Sequence, residues 1–186
     1  KKVYGIDISA KNYNTASKNL SAYSEKIQLN VGSVLELPYE DNFFDVVHSY
    51  GVLHHTKNPY RGFTEFIRVL KPGGTFLLYV YNRGGFFNNT LNMIRFFSTK
   101  SIPPFKISEK IIRFIFGEDE NHYWYSLLDG LYTPYRFTFY DFEIRKWFEK
   151  NGIKDINRFY CKWFYNKWHQ FFSGRDKGGL IYTGIK

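Results

Sequence analysis

Two adjacent histidines, His54 and His55, carry the chemistry most readily used near neutral pH. Imidazole changes charge close to physiological pH, so either ring can act as a general base in a loop joining a strand to a helix. A structural role at the start of the following helix accounts for the same pair. Metal binding is poorly supported, because catalytic zinc ordinarily takes three protein ligands and no acid or third ligand stands near. The single Cys161 excludes an intramolecular disulfide and a cysteine-based zinc cluster, which fits a reducing compartment. A second chemical group is Asp7, the acid closing the apolar run Val3-Tyr4-Gly5-Ile6, whose plainest role is to cap the turn after it. A third is the stretch Phe159 to Phe172, where rings alternate with Lys162, Lys167 and His169, a surface able to stack bases and hold phosphates.

The elements that must position these groups follow from the hydrophobic pattern. Residues 1–8 read as a strand, and Ala10 to Tyr23 as a helix with Tyr13, Ala16, Leu20 and Tyr23 at helical spacing and Ser9 as its N-cap. Ile27 to Val31 alternates as a strand does, and Gly32-Ser33 ends it. Leu35 to Asn42 is a loop containing Pro38. Phe43 to Ser49 suits a buried parallel strand, and Tyr60 to Leu70 places Phe63, Phe66, Ile67 and Leu70 on one helical face. Lys71-Pro72-Gly73-Gly74 then makes a tight turn into the strand Thr75 to Tyr81. This alternation predicts an α/β fold, an open and mostly parallel sheet with helices on both faces and ligand sites at the strands' carboxyl ends.

Bulk properties agree with that reading. A chain of 186 residues suffices for one domain with a substantial core, and 44% apolar with 22% aromatic residues excludes the disordered class. No run approaches the roughly 18 apolar residues needed to span a bilayer, and no leader pattern is present, so a cytoplasmic location is expected. A net charge of +9 draws the protein toward anionic partners or simply keeps it in solution.

Five landmarks occur in order along Val3 to Asn82: Gly5-Ile6-Asp7-Ile8-Ser9; Val31-Gly32-Ser33; Leu37-Pro38-Tyr39 with Phe44-Asp45-Val46-Val47; Val52-Leu53-His54-His55; and Arg68-Val69-Leu70-Lys71-Pro72-Gly73-Gly74. Together they resemble the class I S-adenosylmethionine-dependent methyltransferases of the small-molecule type. Thr138 to Gly152 resembles that family's late helix, and Gly179 to Lys186 its last antiparallel strand. The resemblance implies a Rossmann-like sheet with S-adenosyl-L-methionine as cofactor. It implies that Asp7 takes both ribose hydroxyls and that Ile8 lies against one adenine face. Ser33 and Val34 would hold the adenine edge. Ser33 stands where the family usually has an aspartate, so this contact loses a formal charge. Tyr50 and Gly51 would run beside the methionine part of the cofactor and face the substrate. The family's first strand and glycine-rich turn, which precede this region, have no counterpart in these 186 residues. The chain is therefore expected to be an N-terminally truncated fragment, its sheet interrupted between the strands Val3 to Asp7 and Phe43 to Ser49, and its own cofactor binding weak.

The expected organisation is a single domain, 1–186, with a cofactor-binding half (1–82), a helical insertion or lid (83–132) and a C-terminal helix and strands (133–186). In the insertion, Phe86, Phe87, Leu91, Ile94 and Phe97, then Ile107, Ile111, Ile112 and Ile115, predict two amphipathic helices. Arg83, Arg95, Lys100, Lys106, Lys110 and Arg113 stand there against the single acid Glu109, so 83–117 could rest on an anionic membrane surface, close over a substrate, or pack as an extra layer. A small-molecule or lipid-like acceptor is expected. Nucleic acid is disfavoured: the resemblance puts the last two strands around Phe159 to Phe172, making half of those rings core, and Asn58-Pro59-Tyr60 comes too late to match an amino-methylating Asn-Pro-Pro-Tyr segment. RNA methylation, a nicotinamide-dependent oxidoreductase and a non-catalytic partner-binding domain are the competing readings.

Overall fold

A computed structural model of the protein describes residues 2–83, 133–159 and 179–186, together with residues 89, 92, 93, 95 and 96. Strand β1 (Val3–Asp7) leads into helix α1 (Ala10–Asn19), which Ser9 caps by accepting the Asn12 N–H on its hydroxyl at 3.3 Å. A single 3₁₀ turn, Ser21–Tyr23, takes the place of the expected last helical turn, and β2 (Ile27–Val31) then pairs parallel with β1 from Val3↔Ile27 to Asp7↔Val31. Strand β3 (Phe44–Tyr50), a 3₁₀ turn at Leu53–His55 and helix α2 (Pro59–Val69) follow. Asn58 caps α2 and Pro59 sits at its first position, where a missing N–H costs nothing. Strand β4 (Leu70–Tyr81), helix α3 (Asp141–Lys150) and strands β5 (Lys154–Phe159) and β6 (Gly179–Ile185) complete the described elements.

The strands form two sheets, β1-β2 and β3-β4-β6-β5. Strands β3 and β4 pair in parallel, and β6 runs antiparallel to both β4 and β5, giving the α/β architecture with a closing antiparallel strand that was expected. Among the described residues no strand is hydrogen-bonded between β1 and β3, so β3 is an edge strand. That explains why Val46 and Tyr50 are exposed where a doubly flanked parallel strand would bury them. The β1-β2 pair meets the larger sheet through rings instead: Tyr4 lies edge-on to Phe43 and Phe44 at centroid distances of 5.5 and 5.3 Å, and Tyr39 packs on Phe44 at 4.9 Å.

The core lies on one face of the larger sheet. Phe76, Leu78, Val80, Leu180 and Tyr182 from β4 and β6 meet Phe63, Phe66 and Ile67 of α2 and Ile144 and Phe148 of α3. Each such large side chain contributes about 1.5–3 kcal/mol when fully buried. The Tyr182 hydroxyl emerges from this core to donate to Asp141, which also pairs with Arg145 at 2.7 Å and Arg158 at 3.1 Å.

The polar side of α2 holds the loop between β2 and β3. Glu65 is only 3% exposed, and its carboxylate accepts the Leu37 N–H at 2.9 Å and pairs with Arg68 at 2.8 Å. Arg68 donates in turn to the carbonyls of Leu37 (2.9 Å) and Tyr39 (2.8 Å) and to the Asp41 carboxylate. The last carbonyls of α2, on Arg68 and Val69, accept the N–H groups of Asn42 and Phe43, so the helix end is satisfied by the same loop.

Two expectations are corrected here. Lys71-Pro72-Gly73-Gly74 is no separate turn: β4 begins at Leu70, directly after α2, and the segment is a bulge between the pairs Phe44↔Leu70 and Val46↔Thr75. The C-terminal residue holds it there, Gly73 N–H donating to the Lys186 carbonyl and Lys186 N–H to that of Gly74. The strand before β6 is Lys154–Phe159, so the ring-and-cation stretch begins only at that strand's last residue, and Tyr160 to Phe172 lies outside the described residues. In the insertion, Asn89, Asn92, Met93, Arg95 and Phe96 are helical, in keeping with the first of the two amphipathic helices, whereas Ile107 to Ile115 lies outside the described residues.

Two outcomes follow from the carboxylates. Replacing Tyr182 with Phe keeps the ring's packing and removes one hydrogen bond to a charge, so urea denaturation is expected to show a loss of about 2 kcal/mol. Hydrogen bonding from Arg68 holds Glu65 below its ordinary range; Asp141 is also held low, burial opposing the shift and the Tyr182 hydroxyl and Arg145 outweighing it. The stability these two groups supply is complete above the ordinary carboxylate range and is lost as pH falls through their lowered values. The urea midpoint is therefore expected to decline below about pH 4.5, and less steeply in a Glu65→Gln, Asp141→Asn double variant.

Candidate functional site

The carboxyl ends of β1 and β2 bring the first group of candidates together. Asp7 closes β1, and its backbone carbonyl accepts the Gly32 N–H at 3.0 Å, which ties the two strand ends. A Cβ on Gly32 would stand 2.9 Å from Ile6 Cδ1, the tip of a side chain that would have to shift. Both carboxylate oxygens of Asp7 already hold the start of α1: Oδ1 accepts the Ser9 N–H at 2.8 Å and Oδ2 accepts from Asn12 Nδ2 at 3.2 Å. The capping role is thus present. It leaves a second lone pair on each oxygen, enough for two neighbouring hydroxyls. Ile8 follows with its side chain 78% exposed, an apolar platform beside that carboxylate.

Ser33 turns the chain after β2. Its hydroxyl oxygen accepts the Leu35 N–H at 3.1 Å and its carbonyl accepts that of Glu36 at 3.2 Å, so one lone pair of the hydroxyl is in use by the turn itself. Val34 packs against the core, and its carbonyl lies 3.6 Å from where a Cβ on Gly62 of α2 would be. The Leu53 side chain would meet the same Cβ at 2.5 Å, so the absence of a side chain at Gly62 lets the turn after β2 and the 3₁₀ turn after β3 share one contact on α2.

That 3₁₀ turn carries the second group. Tyr50 ends β3, half exposed, with its ring stacked on Tyr79 at 4.4 Å. Gly51 adopts φ +79°, a left-handed conformation that favours glycine, and donates to the Tyr79 carbonyl at 3.4 Å. The histidine pair is divided. His54 is fully buried, its ring 3.8 Å from that of Tyr81, and its carbonyl accepts the Phe137 N–H at 2.8 Å. His55 is half-buried, and its Nδ1 lies 2.9 Å from the Tyr135 carbonyl. A carbonyl only accepts, so Nδ1 carries the proton and Nε2 is the basic nitrogen. Arg136 places its guanidinium 5.0 Å from the Tyr81 ring centre.

The residues thus fall into two clusters, Asp7, Ile8, Ser33 and Val34 on one side and Tyr50, Gly51, His54 and His55 on the other, joined through α2. An open cleft of about 490 Å³ lies elsewhere, lined by Tyr4, Gln28, Asn30, Tyr39 and Phe43 among others, and contains none of them. Among the described residues no group of three or more His, Cys, Asp or Glu side chains is placed to hold a metal ion, and no helix is long and apolar enough to cross a membrane. Sequence reasoning missed the Glu65–Arg68 pair, whose only signal is an acid and a base three residues apart on a helix, and the Tyr79 and Tyr81 rings that back Tyr50 and His54.

Comparison with known proteins supplies the frame for this geometry. Residues 1–78 match the family described as methyltransferase domain. A demethylmenaquinone methyltransferase of Symbiobacterium thermophilum is 36% identical over 78 residues, 41% of this chain and 31% of that protein. Phosphoethanolamine N-methyltransferase 2 of Caenorhabditis elegans is 30% identical over 83 residues, 44% of this chain and 19% of that protein. The chain thus spans less than a third of either relative. Solved structures share the fold over nearly its whole length: the YcgJ protein of Bacillus subtilis has a TM-score of 0.60 at 16% identity and covers all of this chain and 82% of its own. A SAM-dependent methyltransferase of Thermotoga maritima has a TM-score of 0.61 at 15% identity, covering 99% of this chain and 72% of its own. Residues 1–78 are thus similar in sequence to a methyltransferase domain, and the fold is one shared with a solved SAM-dependent methyltransferase.

Proposed function

We propose that the protein transfers a methyl group from S-adenosyl-L-methionine to a small-molecule or lipid-like acceptor. The observation that carries this reading is the arrangement at the β1 and β2 ends, where a carboxylate with lone pairs to spare stands beside an exposed isoleucine and a serine turn. Those residues fit the cofactor's nucleoside. Asp7 would take the ribose hydroxyls, Ile8 would lie on the adenine face, and the Ser33–Val34 turn would meet the adenine edge, its backbone doing more than a neutral hydroxyl can. Tyr50 and Gly51 would border the methionine portion. The sulfonium supplies a methyl already activated for transfer, so the protein's task is alignment and exclusion of water. His55 would take a proton from the acceptor at Nε2, the nitrogen left basic when the Tyr135 carbonyl holds Nδ1 protonated. Buried His54, packed on Tyr81 and pinned through its carbonyl by Phe137, fixes the backbone that carries His55. Relatives named for demethylmenaquinone and for phosphoethanolamine support a small acceptor.

Calorimetric titration with S-adenosylhomocysteine tests the reading. Weak but saturable one-to-one binding is expected, reduced about tenfold further by Asp7→Ala, which removes two charge-assisted hydrogen bonds. An absence of binding would sink it. Once an acceptor among phenols, quinols or primary amines gives turnover, His55→Gln is expected to lower kcat about a hundredfold while leaving S-adenosylhomocysteine affinity within about twofold. Equal loss of both would remove His55 from the role of base.

A further inference from the structure

The loop that carries the Ser33–Val34 turn into β3 has little structure of its own. From Leu35 to Phe43 several of its backbone groups are instead taken up by α2. Arg61 Nε donates to the Leu35 carbonyl at 3.3 Å. Glu65 accepts the Leu37 N–H, and Arg68 donates to the Leu37 and Tyr39 carbonyls. The Arg68 and Val69 carbonyls accept from Asn42 and Phe43. Positions 61, 65 and 68 fall on one stripe of the helix, and Gly62 beside them faces Val34 and Leu35. The stripe therefore acts as a template against which an irregular segment is laid.

The pair at its centre is built to hold one geometry. Glu65 is nearly without solvent contact, and a buried carboxylate is costly unless paired and hydrogen-bonded; here it is both. The planar Arg68 guanidinium divides its donors among one carboxylate on the helix and three acceptors on the loop, a fork a lysine cannot reproduce. Directly upstream, the amides of Leu35, Glu36 and Leu37 find their partners in Ser33 Oγ, the Ser33 carbonyl and Glu65 in turn. No element stands between the clamp and the turn.

We propose that Glu65 and Arg68 are positioning residues for the adenosine half of the cofactor, acting through the loop backbone on the Ser33–Val34 turn. The proposal rests on the cofactor reading given above. It means that nucleoside affinity is set partly from the far side of the loop, by residues that do not touch the ligand, and that a neutral serine suffices in the turn because the turn itself is held still.

The test compares the wild-type protein with Arg68→Lys and Glu65→Gln, by amide hydrogen exchange and by binding of S-adenosylhomocysteine and of methylthioadenosine, which keeps the adenosine and lacks the amino acid. In both variants the amides of Leu35 to Leu37 should exchange about tenfold faster relative to those of β4, and both ligands should weaken by a similar factor. A purely structural role would speed exchange throughout the fold by one common factor, and that result would overturn the proposal. So would a loosened turn with both affinities within about twofold of wild type; the cofactor reading would then survive. Failure of the wild-type protein to bind either ligand would remove the cofactor reading, and the proposal with it.

Discussion

A carboxylate placed where water does not reach must find its solvation in the protein, and at Glu65 that requirement organises the N-terminal half. Its partners are two guanidiniums on its own helix, Arg61 and Arg68, and one amide on a loop 28 residues earlier, so the helix and the loop are positioned together. The opposite side of α2 is committed as well, because Phe63, Phe66 and Ile67 are fixed against the larger sheet. Helix α2 thus has no freedom to roll. What the sheet dictates on one side is transmitted as a fixed set of donors and acceptors on the other, and the loop conforms to it.

The same economy is visible at the other cluster. Neighbouring histidines at one 3₁₀ turn both meet the Tyr81 ring, yet one is fully buried and the other is half-buried with its Nδ1 held by a carbonyl. The partners that make the difference, Tyr135 and Phe137, arrive from some eighty residues downstream. The segment that leads into α3 therefore completes a turn that the first half of the chain begins.

Much of this was legible in the residues. The alternation of Ile27 to Val31, the cap at Ser9 and the apolar spacing of α2 are local signals, and each element forms where those signals put it. Asp7 was legible as a cap, since a strand-end carboxylate accepts readily from the turn that follows it. The misses are long-range. Nothing in Lys71 to Gly74 announces that the chain's last residue will hydrogen-bond there and draw the segment into β4. Nothing local distinguishes a glutamate that is buried under a loop from one facing solvent, since on a helix both follow the same spacing.

The seam between the two sheets bears on how the molecule opens. The β1-β2 pair and helix α1 are joined to the rest by the rings of Tyr4, Tyr39, Phe43 and Phe44 and by the loop on α2, rather than by a ladder of backbone hydrogen bonds among the described residues. No residue of α1 is buried, and the fully buried side chains all belong to the other part. A contact made of side chains can loosen without breaking either sheet.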